Sequence, residues 1–381
     1  MPRIRQNPTT RPSSPPNRVL VWDIPTRVFH WSLAGTVFLA LGSALLGPES
    51  ALGLHTIAGY IIGLLVAFRL VWGIVGGRYS RFRHFPLSPK DLRHHVRQLR
   101  DHHCQMPLGH NPAGSWMILL LLSLLVALVA SGALALGGQE NLGPLAAWVD
   151  FRNGQKAASL HAILAWALIG AIALHVSAVL IGTRLLKLPL ISAMINGHVL
   201  TSPENEGDKS LLIGRGLMVL GLVTSALAIP STAMTTLPSS GWHAIPISKT
   251  YQAACSECHN AHHPSLHTAG DWRKIIAGLS NHFGENAILD MATAAEIQTF
   301  LVANSSETFD TEAANLIGHA SVPSLRITNT PAWKIRHANL STGIFKNRQV
   351  GSAINCNACH KDADQGRFDD QAIALPKGIS K

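Results

Sequence analysis

Cys255-Ser-Glu-Cys258-His259 and Cys356-Asn-Ala-Cys359-His360 hold four of the five cysteines in the chain. Both strings fit C-x-x-C-H, the attachment signature of c-type haem. Two thiols at this spacing reach the two vinyl groups of one macrocycle, and the adjacent histidine is placed to ligate its iron. Cys255, Cys258, Cys356 and Cys359 are read as covalent haem c anchors, with His259 and His360 as proximal iron ligands. The competing chemistries are a pair of disulfides or a four-cysteine zinc site. A histidine directly after each pair argues against both, and a gap of about a hundred residues is far longer than zinc spacing.

The elements that must position these motifs lie upstream. The chain has 381 residues, of which 47% are hydrophobic, and a net charge of +10. Residues 1–230 hold 19 Lys and Arg against 9 Asp and Glu, while residues 231–381 hold 12 against 12. The excess sits in the apolar half, as the positive-inside rule requires of a membrane protein, and no aromatic-basic patch suggests nucleic acid. Apolar runs of the roughly 20 residues needed to cross a bilayer occur near 29–47, 54–76, 115–136, 160–183 and 211–230. The Pro- and Arg-rich stretch 1–27 reads as a disordered cytoplasmic tail rather than a cleaved secretory signal.

Basic residues fill the tail, the second loop and the fourth loop, and are scarce in the first and third. That alternation puts the N-terminus in the cytoplasm, residues 188–210 in a cytoplasmic linker and the C-terminal segment, 238–381, outside. Both C-x-x-C-H motifs then fall on the outer face of a bacterial inner membrane, where c-type haem is attached. Cys104 falls in a cytoplasmic loop and reads as an ordinary reduced thiol.

Ionisable side chains inside a membrane are functional by default. His30 opens span one, His55 opens span two, and His161 and His175 share one face of span four, roughly 21 Å apart along the axis. The span directions pair His55 with His161 near the outer face and His30 with His175 near the inner one. Two imidazoles from different helices at one depth can hold a haem iron from both sides. A lone histidine at a span edge could instead be hydrogen-bonded across helices. Gly35, Gly59, Gly63 and Gly170 could admit a macrocycle or simply pack helices.

Val21-Trp22-Asp23 through Arg27 and His30-Trp31 resembles the opening of the bacterial cytochrome b561 family, which includes the cytochrome b subunits of nickel-iron hydrogenases. So do His55 with Gly59, Arg69-Leu-Val-Trp72-Gly73, His110-Asn-Pro112, and Leu160-His161 with His175. This resemblance, over 19–187, implies a four-helix bundle across 28–187 holding two haem b through His30, His55, His161 and His175, and electron exchange with the quinone pool. Arg27, Arg69 and Arg81 could contact a propionate or a quinone headgroup, or could be inside anchors. Residues 245–372 resemble the dihaem cytochrome c family, at Trp272-Arg273, His282-Phe-Gly-Glu-Asn-Ala287, Arg326-Ile-Thr328, Trp333 and His337. This second resemblance implies two haem c with histidine on both sides, His282 and His337 being the best distal candidates. His262, His263, His267 and His319 are rivals, the first three read as solvated or supporting groups. The span at 211–230 departs from the four-span pattern and resembles a retained signal sequence.

The expected fold is all-α: a transmembrane four-helix haem bundle, a fifth transmembrane helix, and a small, mostly helical extracytoplasmic domain. In that domain Asp271 is expected to cap one helix and Thr293 with Glu296 to open the next. The expected function is electron transfer between quinone and a periplasmic cytochrome or oxidoreductase through two b and two c haems, with no substrate-transforming site. The alternatives are an anchoring subunit of a separate periplasmic enzyme, hydrogenase-like, and a haem redox or gas sensor. Oligomeric state and direction of flow are open at this point.

Overall fold

The computed structural model describes residues 17–100, 109–201, 212–319, 324–341 and 343–376. Cys104 lies outside these residues. The helices of the apolar half are α1 (Ile24–Leu45), α2 (Leu52–Val75), α3 (Pro89–Arg100), α4 (Pro112–Gln139), α5 (Phe151–Arg184), α6 (Leu190–Asn196) and α7 (Ile213–Thr235). Five of them, α1, α2, α4, α5 and α7, are long and apolar enough to cross a bilayer. They coincide with the expected spans, and polar caps extend two of them. Asp150 accepts from the Asn153 amide at 2.7 Å, so α5 begins well before its apolar run. Asn111 accepts from the Gly114 amide at 2.6 Å and Pro112 takes the first helical position of α4. Each cap satisfies an amide that the helix leaves free at its start.

Order begins earlier than the tail's composition implies. Asn17–Leu20 forms β1, antiparallel to β2 (His198–Thr201), with Val19 opposite Val199. Val19, Val21 and Trp22 bury against Ala193 and Val199, and α1 starts at Ile24. The tail expected over 1–27 is therefore structured from Asn17 onward. The same contacts give the expected linker at 188–210 a helix, α6, and a strand. Burying three large apolar side chains outweighs what composition alone predicts.

Residue contacts group the described chain into two compact units. The first draws on 1–38, 60–127 and 164–227, and the second on 39–59, 128–163 and 228–381. The core of the first is Phe29, Phe68, Trp72, Leu122, Val219 and Val223. Beside it, buried Asp23 accepts from the Thr26 amide at 2.8 Å, the Ser80 hydroxyl at 2.8 Å and the Trp72 indole at 3.3 Å. This carboxylate caps α1 and locks the α2–α3 connection onto it. Asp23→Ala takes the acceptor from the Thr26 amide and leaves the Trp72 indole and the Ser80 hydroxyl with only the Thr26 hydroxyl as partner, an expected loss of on the order of 2 kcal/mol. A marked fall in melting temperature in detergent checks this, and an unchanged value would mean that the donors find other partners.

The second unit adds α8 (Lys249–Cys255), α9 (Ala269–Ala277), α10 (Met291–Ala303) and α11 (Pro331–Arg336), joined by short 3-10 turns. One core joins Tyr251, Trp272, Ile275, Ile297 and Leu301, and a smaller one joins Leu266, Ala313 and Ile327. Two caps differ from expectation. Thr268, not Asp271, caps α9: it accepts from the Asp271 amide at 3.0 Å and donates to the Asp271 carboxylate at 2.9 Å. Asp290, not Thr293, caps α10 by accepting from the Thr293 amide at 3.0 Å. In both cases the expected cap residue is the third residue of the helix, whose amide the true cap accepts.

Candidate functional site

The outer membrane histidines meet in the second unit. The His55 and His161 rings are 6.0 Å apart, centroid to centroid, and crossed at 81°. Each ring is held through Nδ1: His55 by the Ala40 carbonyl at 3.0 Å, and His161 by the Leu128 carbonyl at 3.0 Å and Ser131 at 3.2 Å. A Nδ1–H donated to a carbonyl fixes the tautomer and leaves the Nε2 lone pair free for a metal. Glycines let the helices come this close. A Cβ on Gly154 would stand 2.7 Å from Gly138 Cα, and one on Gly132 would stand 3.1 Å from His161 Cε1.

His30, on α1, and His175, on α5, both lie in the first unit. The Nδ1 of His30 is buried without a hydrogen-bond partner. Arg69 is 4% exposed, lies 4.7 Å from the Phe82 ring, and keeps one buried Nη without a hydrogen-bond partner. Arg81 donates to the Gly76 carbonyl at 2.7 Å, and Arg27 to that of Ile195 at 2.5 Å. Space opens at Gly35, Gly59 and Gly170, where an added Cβ would meet nothing within 4 Å. His110 stacks near Trp22 and Phe85, at 4.6 and 4.4 Å. Burial drives its pKa down to about 3, so it is a neutral packing group.

Each C-x-x-C-H histidine of the second unit faces a second imidazole. His259 and His282 are 6.2 Å apart at 20°, and His337 and His360 are 6.2 Å apart at 62°. A metal–imidazole bond of about 2.0–2.1 Å, with about 1.1 Å from ring nitrogen to centroid, separates two rings on one metal by about 6.2 Å. The three measured pairs match that spacing. His259 is held by the Asn260 carbonyl and His337 by that of Trp333, both at 2.8 Å. Burial pushes the Cys255 and Cys356 thiols up to about 11. Among the described residues, no three His, Cys, Asp or Glu side chains converge into a metal-ion site.

The second motif lines a cleft with His337, Trp333, Phe345, Phe368 and Glu49 on its walls. Trp333 stacks on His337 at 4.5 Å. Apolar walls, two facing imidazoles and two thiols fit a covalently held macrocycle. The first motif is more open: Cys258 is exposed. Asn260 donates to Asn355 at 2.8 Å and ties the two motifs together.

Of the histidines that the sequence left as rivals, His263 and His267 are buried, His262 is half-buried and His319 is exposed. His263 is 3% exposed and bonds Ser265, while His267 is 5% exposed and packs edge-on against Trp272. Burial drives both, and His262, down to about 4. His262 stacks on His259 at 5.0 Å. His319 contacts Ser306 and His243 stacks on Phe309.

Sequence reasoning missed Glu49 and Glu140. No motif marks either residue, and only through-space contact brings them to the second motif. Glu140 accepts from the Asp370 amide at 3.3 Å. Burial, then Asp370 and Asp369, raises its pKa to about 7. A carboxyl raised on folding binds a proton that the unfolded chain has released, so stability falls as pH rises from about 4.5 to about 7. The loss is up to about 3 kcal/mol. Glu140→Gln should flatten that slope in thermal melts between pH 5 and pH 8, and an unflattened slope would assign it to other groups.

A model of the prokaryotic cytochrome b561 family matches residues 21–197, and one of the dihaem cytochrome c family matches residues 251–368. A probable Ni/Fe-hydrogenase B-type cytochrome subunit of Rhodobacter capsulatus is 25% identical over 214 residues, 47% of this chain and 80% of that protein. A protein of the same description from Bradyrhizobium diazoefficiens is 24% identical over 210 residues, 47% and 85% of the two chains. The structure of a diheme cytochrome c from Rhodobacter sphaeroides shares 34% identity over 32% of this chain and 98% of its own, with a TM-score of 0.28. One from Shewanella baltica shares 32% identity over 35% and 96%, also with a TM-score of 0.28. Four of the five helices long and apolar enough to cross a membrane, and both C-x-x-C-H motifs, stand in these matched stretches, and α7 lies between the two stretches. This multi-pass membrane electron-transfer chain, with haem b and haem c as its cofactors, thus joins a prokaryotic cytochrome b561, at residues 21–197, to a dihaem cytochrome c, at residues 251–368.

Proposed function

We propose that the chain passes electrons between the membrane quinone pool and a soluble redox partner in the periplasm. The observation that carries this reading is the repeated imidazole pair. His55 faces His161 inside the membrane helices, and His259 and His337 face His282 and His360 in the same unit, all at the bis-histidine spacing. His30 and His175 form the fourth pair. Four haems, when bound, would supply one-electron transfer chemistry; these histidines and the four motif cysteines would hold them, and the chain's residues would set their order, potential and exclusion of water. The basic inner loops support a cytoplasmic N-terminus in a bacterial inner membrane and a periplasmic C-terminal domain. Arg69, buried with a free Nη, is the group placed to meet a propionate or a quinone headgroup. The domains follow as four b-type spans over 28–187, a fifth helix near 211–230, and the dihaem domain over 238–381.

The test is a reduced-minus-oxidised spectrum with haem quantification after acid-acetone extraction, followed by addition of a quinol. Two extractable and two retained haems per chain, all reduced by quinol, are expected. Retained haem alone would overturn the membrane path, and four haems unreduced by quinol would overturn the quinone assignment. A second reading has support of its own. Both curated relatives are described as hydrogenase B-type cytochrome subunits, which suggests that the periplasmic partner is an oxidoreductase stably bound to this chain. Co-purification of a catalytic subunit with the full chain tests it. Carbon monoxide binding to the reduced protein would favour a gas sensor instead, since a pair of imidazoles on each iron leaves no open position.

A further inference from the structure

The two C-x-x-C-H lobes are not equivalent surfaces. The second lobe is covered by the chain's own outer connections. Glu49, between α1 and α2, lines its cleft, and a Cβ on Gly53 would stand 3.3 Å from Gln371. Glu140 takes the Asp370 amide, and Asp310 takes the Phe151 amide at 2.8 Å. The first lobe carries no such cover in these contacts, and three large apolar side chains stand out on it. Phe283 is 45% exposed, Ile288 65% and Met291 90%. All three follow His282 within ten residues in sequence. Exposed carboxylates stand in the same stretch and in the motif it faces: Glu257 sits inside the motif, Glu285 pairs backbone to backbone with His282, and Asp290 precedes Met291. Arg326, 4.8 Å over the Phe283 ring, offsets part of that charge.

We propose that this apolar patch with its acidic rim is the docking surface for a small redox protein whose own cofactor edge is ringed by Lys and Arg. The proposal refines the periplasmic-partner reading by naming the face and the charge of the partner. An exposed apolar cluster rimmed by charge marks an interaction site, and a single-sign rim raises the on-rate of an oppositely charged partner. An apolar centre with a polar edge suits brief contact, where electrons cross and the partner leaves.

The test uses the full chain in detergent, with a basic monohaem cytochrome c as probe, read by surface plasmon resonance at several salt concentrations. Charge reversal by Glu257→Lys with Glu285→Lys should weaken binding by about tenfold or more and flatten its salt dependence. Met291→Ser should speed dissociation and leave the salt slope in place. Asp364→Lys, which lies beyond the second motif, should change binding less than about twofold. Spectra must show both c haems retained in every variant. Equal weakening by Asp364→Lys, or no weakening by the reversed pair, would overturn the proposal, as would a probe that does not bind at low salt. Quinol reduction of the b haems is read separately, so failure of the quinone reading is distinguishable.

Discussion

His161→Ala is expected to remove one of the two extractable b haems and to reduce quinol-driven reduction of the c haems to the background rate. The reason is geometric. His161 stands 6.0 Å from His55, and its Nδ1 is committed to the Leu128 carbonyl and Ser131. No other histidine of the second unit's membrane helices is paired with His55, so nothing substitutes for the lost ring. His55→Ala should give the same phenotype, since a ligand pair fails from either side. Loss of ligation must be separated from loss of fold, and Ser131→Ala serves that purpose. It removes a contact that orients the ring without removing the ring itself, so the haem should stay while its reduction potential shifts. Haem quantification and a redox titration check all three variants. Retention of both b haems in His161→Ala would remove His55 and His161 from the ligand set.

Cys356→Ala with Cys359→Ala is expected to do more damage than the matching pair Cys255→Ala with Cys258→Ala. Each double variant loses one covalent haem, but the two lobes depend on theirs unequally. The first lobe keeps a protein core of its own: Tyr251, Trp272, Ile275, Ile297 and Leu301, with α9 packed on α10. The second lobe has Leu266, Ala313 and Ile327, and short helical turns around a cleft. Without a macrocycle that cleft has apolar walls and nothing to fill it, and apolar surface left in water costs about 25 cal/mol per Å². Limited proteolysis with mass spectrometry should show rapid cutting within residues 324–376 of the Cys356 and Cys359 variant. It should show near-normal resistance within 269–303 of the Cys255 and Cys258 variant. Equal resistance of the two lobes would mean that protein contacts alone hold the second one.

The four membrane histidines were legible because each feature that marks them is local. A span is a run of apolar residues, a histidine within it is visible one residue at a time, and loop charge sets the direction. Depth matching then paired His55 with His161, and the structure places those rings 6.0 Å apart. The caps of α9 and α10 were legible only to within three residues. Thr268 and Asp290 compete with Asp271 and Thr293 for the same amides, and sequence shows the competitors without the hydrogen bonds.

The distal partners of the c motifs lay beyond local rules. His282 and His337 had rivals of identical chemistry in His262, His263, His267 and His319. Placement, not composition, sets His263, His267 and His319 apart: they lie on Ser265, Trp272 and Ser306, while His282 and His337 face the motif histidines and His262 stays against His259.

By itself the amino-acid sequence determined the haem chemistry and the five spans, since spacing of two thiols and length of apolar runs are written along the chain. Tertiary structure alone decided where the N-terminal tail becomes ordered, which histidine faces each motif, and that Glu49 and Glu140 reach the second lobe. Those outcomes depend on distances between segments far apart in the chain, and packing, not spacing, sets such distances.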